Sequence, residues 1–220
     1  MSRVSKCWGA RLRRCFWILP GVIVSSLGVA PNAIGEELGA NVIAIEEDWE
    51  LVVKQPDAET QAPQVTCVVA PDNGSVFAAF NLNHKAFPQF EAGGLHLQIW
   101  NGDTPLGSAQ FPNNSLLTTP SETITWTTRM NLDGGQLWFE VVSGSSQTWG
   151  SFGGTGALKA SVGAEYSNLN QYDADDSAAN SGVSYAGNRV TSLKLKAVRK
   201  LLKNGTIQED SQARVVYPQN

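Results

Sequence analysis

The sequence predicts an all-β domain, a jelly-roll-like antiparallel β-sandwich of about ten strands. Three observations predict it. From Trp49 onward, short runs rich in Val, Ile, Leu, Thr, Phe and Trp alternate with clusters of Gly, Asn, Asp and Pro, the pattern of sandwiches and barrels. Several runs alternate apolar and polar residues with period two, as a strand with one buried face does. No window keeps a helical period over the ~11 residues that would declare an amphipathic helix.

The chain opens with a segment of different character. Arg3, Lys6, Arg11, Arg13 and Arg14 form a basic stretch without acids, Cys15–Ala30 is apolar, and Ala33-Ile34-Gly35 offers a small-residue cleavage site. This is the three-part shape of a secretory signal, so residues 1–35 are read as a signal peptide. The remainder is then secreted, periplasmic or held in the cell envelope. The apolar run is shorter than the ~20 residues of a spanning helix, so no membrane association is expected after cleavage. Loss of those five bases leaves 11 bases against 20 acids, a net charge of −9. Such a surface disfavours nucleic acid. Cys67 is then the one remaining cysteine. It has no internal disulfide partner, and its apolar neighbours predict a buried thiol.

Residues 36–48 read as an acidic lead-in. Strands are predicted at 49–53, 64–69, 76–82, 94–100, 106–111, 122–130, 136–142, 146–150, 157–162 and 189–198. Residues 54–63 form a proline-bounded loop. Residues 163–188 are the longest gap, a length that usually carries function or local structure. One sandwich domain thus covers 36–203, and 204–220 is a polar C-terminal tail.

Strand parity sorts side chains between the two faces. Leu95, Leu97 and Ile99 share one face; His96, Gln98 and Trp100 share the other. Ile124, Trp126, Thr128 and Met130 turn inward, leaving Thr123, Thr125, Thr127 and Arg129 outside. Leu137, Phe139 and Val141 turn inward and Trp138 and Glu140 outward. The last strand buries Leu193, Leu195 and Ala197 and shows Lys194 and Lys196. Asp133-Gly134-Gly135 suits a two-residue hairpin turn, because both central residues of such turns need positive φ. Met130 then meets Leu137 or Phe139, and Arg129 meets Trp138 or Glu140.

Parity therefore leaves two large aromatics, Trp100 and Trp138, on polar faces. Sugar rings stack their C–H faces on flat aromatics while amide, guanidinium, carboxylate and hydroxyl groups bind the hydroxyls. The expected ligand site is His96, Gln98, Trp100, Arg129, Trp138 and Glu140, and the expected function is a non-catalytic binding module for a glycan or another surface component. The alternatives are a structural or adhesion subunit of the cell surface, and a glycoside hydrolase. The last requires two carboxyls about 5–9 Å apart, and parity places only Glu140 on the outer sheet face. Asp173, Asp175 and Asp176 could offer oxygens to Ca²⁺ in the long loop. His84 and His96 are too few for a zinc site, and no G-x-S-x-G element is present.

Two resemblances accompany these residues. Leu95-His96-Leu97-Gln98-Ile99-Trp100 resembles the Glu-Leu-Met-Ile-Trp strand of a β-jelly-roll cellulase family, with His96 standing where that family has its nucleophilic Glu; the match argues against catalysis. Asp48-Trp49-Glu50-Leu51, Ala62-Pro63-Gln64-Val65, Trp149-Gly150-Ser151-Phe152-Gly153-Gly154 and Ala186-Gly187-Asn188-Arg189-Val190 are similar to segments of uncharacterised secreted bacterial β-sandwich proteins. That resemblance implies a fold and export, and no activity.

Overall fold

The computed structural model describes residues 41–54, 62–84, 93–163 and 165–218. Contacts divide the chain into Met1–Gly35 and Glu36–Asn220, and all described residues belong to the second unit. The expected signal segment 1–35 lies outside the described residues.

Alternating strands dominate, as predicted. β1 (Val42–Val53), β6 (Thr123–Asp133), β7 (Gln136–Ser146) and β11 (Val190–Leu202) are the long ones. β2 (Gln64–Val69), β3 (Val76–Leu82), β4 (Leu95–Asn101) and β5 (Thr104–Gln110) follow closely the expected spans. Short strands β8 (Gly150–Phe152), β9 (Lys159–Gly163), β10 (Gly182–Tyr185), β12 (Ile207–Asp210) and β13 (Arg214–Tyr217) complete the set. One sheet runs β12-β11-β1-β6-β7-β8, with β13 also on β11 and β9 also on β7; the second runs β10-β2-β3-β4-β5. The described ladders are antiparallel. The two sheets enclose one core, and the domain is a jelly-roll-like sandwich.

The inner faces are those parity assigns. Ile124, Trp126, Met130, Leu137, Phe139 and Val141 from the first sheet are buried with Cys67, Phe80, Leu95, Leu97 and Ile99 from the second. Trp49 stacks parallel on Trp126 at 6.2 Å, and Phe80 meets Trp126 edge-on at 5.9 Å, joining the two sheets. The hairpin has the predicted form. Asp133 pairs with Gln136 across Gly134 and Gly135, whose φ values are 58° and 75°, as a two-residue turn of this kind requires. Met130 faces Phe139 and Arg129 faces Glu140.

Five expectations are corrected. Residues 146–150 are not a strand of their own: β7 runs on to Ser146, and 147–149 form the turn into β8. Residues 42–48 are not a lead-in but the first half of β1. The 163–188 segment contains a short helix, α1 (Ala174–Asn180), as well as β10; seven residues are too few to show a helical period in sequence. The polar tail 204–220 supplies β12 and β13, which both pair with β11; each is four residues long, too short to declare a period, and β12 has one apolar residue, Ile207. Finally, the register between Asp48↔Ala197 and Trp49↔Leu195 contains a bulge, so Val198 rather than Ala197 is buried. An extra residue in one strand shifts parity beyond it.

Candidate functional site

The hairpin and β1 build the site from the inside out. Because Met130, Phe139 and Ile45 face the core, their neighbours Arg129, Glu140 and Glu46 face outward. Register then sets them in line. Glu209 on β12 lies opposite Arg199 on β11, Arg199 opposite Glu46 on β1, Glu46 opposite Arg129 on β6, Arg129 opposite Glu140 on β7, and Glu140 opposite Lys159 on β9. Charges thus alternate in sign along one row across the sheet, an arrangement in which directly opposed side chains attract.

The row is knitted together by hydrogen bonds. Arg129 Nε donates to Glu46 Oε1 at 2.9 Å, and Arg199 Nε donates to Glu46 Oε2 at 3.1 Å. Arg199 Nη2 donates to Asp48 Oδ1 at 2.8 Å, and the Thr127 hydroxyl donates to the same oxygen at 2.7 Å. Burial alone would raise the Glu46 carboxyl, but hydrogen bonds from Arg129 and then Arg199 outweigh it and hold the group below its ordinary range. Asp48 is lowered chiefly by the Arg199 hydrogen bond. The same contacts raise the Arg199 guanidinium. These acids are held ionised, which suits anchoring a ligand and not protonating a leaving group.

A depression of about 540 Å³ lies over this row. Its lining joins the charged Glu46, Arg129, Asp133, Glu140, Lys159 and Arg199 to Asn131 and to the apolar Ile43, Ala44, Leu132, Leu201 and Ile207. Ile207 is 61% exposed. Trp138 sits in the adjacent register row, opposite Asn131 and Ser161. Lys159 Nζ lies 4.7 Å from the centre of its ring and 3.8 Å from Glu140 Oε2, so one indole face holds an ammonium that a stacking ligand would have to displace.

The structure divides the six expected ligand residues. Arg129, Trp138 and Glu140 stand together on the outer face of the first sheet. His96, Gln98 and Trp100 point outward from β4, in the second sheet. The inner faces of both sheets share one core, so these two trios lie on opposite sides of the sandwich and do not form one surface. On that other side, His96 packs edge-to-face on His84 at 4.5 Å. Burial, followed by the neighbouring His84, lowers the His96 imidazole to about 4. Gln98 accepts a hydrogen bond from Asn81 at 3.3 Å, and Trp100 lies between Phe77 and Pro105 in register.

Sequence reasoning also missed residues of the site. Glu46, Asp48 and Glu50 share the outer face with Glu140, which was expected to be the sole acid there. Their signal was obscured because Glu47, between them, turns into the core. Arg199 was missed because the bulge displaces it from simple alternation. The three loop aspartates have local duties. Asp173 caps α1 by accepting the Asp175 N–H at 2.8 Å, Asp175 pairs with Arg214, and Asp176 lies in the first helical turn. Among the described residues, no group of three or more His, Cys, Asp or Glu side chains is placed to hold a metal.

No family model matches this chain and no curated protein matches it, so the resemblance to secreted bacterial proteins gains no support. Among solved structures, a native heptameric SAP-like pentraxin from Limulus polyphemus matches with a TM-score of 0.27 and 10% identity, over 80% of this chain and 85% of that chain. So low a score carries no argument about function, and the fold assignment rests on the two sheets themselves. Among the described residues, no helix is long and apolar enough to cross a membrane.

Proposed function

We propose that this protein is an exported, non-catalytic binding module, and that its ligand is a carbohydrate held in the groove on the outer face of the first sheet. The observation that carries the reading is the groove itself, whose lining combines charged side chains that hold one another with apolar ones. Sugars present hydroxyls and C–H patches in that combination, and binding sites of this kind pair apolar surface with a few convergent polar groups. Carboxylates and guanidiniums already locked by each other lose little side-chain freedom when a ligand arrives. Trp138 extends the apolar surface at the groove's margin. Export is supported by the basic, apolar and small-residue order of the first 35 residues.

Glycan arrays and polysaccharide pull-downs with the wild type, Arg129→Ala and Trp138→Ala test the proposal. A glycan should be retained by the wild type and weakened at least tenfold in each variant, about 1.4 kcal/mol. Absence of any glycan binding, or undiminished binding by both variants, ends this reading.

A further inference from the structure

Arg189 lies just before β11, in a 3-10 turn entered through Ala186 at φ 46°. It is 2% exposed. Its backbone is fixed on both sides: its N–H donates to Ala186 O at 2.9 Å, and its carbonyl accepts the Lys54 N–H at 2.6 Å. The side chain has one partner, the Leu117 carbonyl, 3.0 Å from Nη1. Nε and Nη2 are buried and have no hydrogen-bond partner. None of the ion pairs among the described residues involves Arg189.

That arrangement is costly as it stands. A guanidinium does not give up its proton in proteins, and a buried charge left unpaired is far more expensive than a missing neutral hydrogen bond. Glu122 is tied to the same stretch of backbone, its carbonyl accepting the Val53 N–H next to Lys54. Its carboxylate is already spent: Oε1 accepts from Ser146 and from the N–H groups of Gln147 and Thr148, and Oε2 accepts from the Thr148 hydroxyl. The unpartnered nitrogens are not scattered. Nε–H and Nη2–H form the parallel pair along one edge of the guanidinium, the edge that meets two oxygens of a carboxylate or phosphate side by side. Leu117, which anchors the third nitrogen, is itself held by its N–H bond to Asn83 Oδ1 at 3.3 Å, so the fork is aimed before any ligand arrives.

We propose that the Nε/Nη2 edge of Arg189 is a binding site for an oxyanion, a carboxylate or phosphate group presenting two oxygens in the guanidinium plane. The site is independent of the sheet groove and stands whether or not that groove binds sugar.

The test titrates the protein with inorganic phosphate and, separately, acetate. It follows the Arg189 ¹⁵Nε resonance and the thermal midpoint in the wild type, Arg189→Met and Arg189→Lys. The site requires a saturable shift of that one resonance and a saturable rise in midpoint in the wild type, absent from Arg189→Met. Arg189→Lys, which keeps the charge and loses the fork, should bind at least tenfold more weakly. Should Arg189→Met not fold, the resonance titration and the lysine variant decide alone. A midpoint rise that is equal in all proteins is a general salt effect and overturns the proposal, as does an unmoved resonance. An Arg189 ¹⁵Nε resonance that already stands at a bound position without added anion, and is unmoved by either anion, assigns the fork to a group of the chain itself and overturns an external ligand.

Discussion

Replacing Glu47 by Gln should change how the domain's stability depends on pH, in a direction fixed by the structure. Glu47 is 1% exposed, facing the core from the middle of β1. It has no cationic partner among the described residues. Oε2 accepts from Trp49 Nε1 at 3.0 Å and from the Thr128 hydroxyl at 3.2 Å, and Oε1 accepts from the Tyr172 hydroxyl at 2.8 Å. Burial raises the carboxyl above its ordinary 4.5 and outweighs the opposing hydrogen bonds from Ser177, Tyr172, Trp49 and Thr128. A group whose folded-state pKa is raised binds its proton more tightly in the folded state. Its contribution is complete below about 4.5 and is lost as pH rises through the folded pKa. Within that window the wild type should lose up to about 1.4 kcal/mol per pH unit relative to Glu47→Gln, which does not titrate.

The fixed offset between the two is smaller. The amide oxygen can serve Trp49, whose indole can only donate, while the amide N–H groups face hydroxyls that can turn to accept; the expected loss is about 1 kcal/mol. Glu47→Ala is the contrasting case. It strands the Trp49 N–H and opens a cavity, for a cost of about 3–5 kcal/mol, a large part of the ~5–15 kcal/mol that holds a domain together. Urea unfolding followed by tryptophan fluorescence from pH 4 to pH 8 measures all three. Parallel wild-type and Glu47→Gln profiles would refute the reasoning. So would a wild type that gains on the variant with rising pH, because the hydrogen bonds would then outweigh burial.

Other consequences follow from particular residues. Arg199→Ala should release Glu46 and Asp48 toward ordinary carboxyl values, cost under about 1 kcal/mol at neutral pH, and lose most of that effect in high salt; chemical denaturation at two ionic strengths checks it. The sign is that of lowered carboxyls: the wild-type advantage is present at neutral pH and disappears as pH falls below about 4. Gly144→Ala should destabilise by about 1–3 kcal/mol through overpacking, since a Cβ there would collide with the Phe152 ring; the thermal midpoint reports it. Cys67 should resist alkylation in the folded protein and react once urea unfolds it, because burial, followed by Glu47, raises its thiol well above the ordinary value; mass spectrometry after iodoacetamide treatment gives the answer.

The parts of this architecture readable from sequence are those set by short-range rules. Alternation across 122–142 and two glycines between Asp133 and Gln136 were enough to place Arg129 against Glu140 and Met130 against Phe139. Inward and outward faces of β4 followed from Leu95, Leu97 and Ile99 alone. What sequence could not supply was strand order, so His96, Gln98 and Trp100 were grouped with residues on the far side of the sandwich. Strand neighbours are chosen by contacts between distant segments, which leave no mark in local periodicity. Glu47 defeated the reading for another reason. A carboxylate in the interior breaks alternation, and its satisfaction depends on Tyr172, 125 residues away. Residues 207–217 carry two strands of four residues each, too short for alternation to show, even though Val216 of the second is buried in the core.

The groove on the first sheet is the claim that most needs a direct measurement. Amide and side-chain NMR spectra recorded during titration with the glycan that binds most tightly will map the contact. The perturbed resonances should cluster at Glu46, Arg129, Trp138, Glu140, Lys159 and Arg199. Shifts confined to His96, Gln98 and Trp100 on the opposite sheet, or spread evenly over both faces, would contradict the assignment.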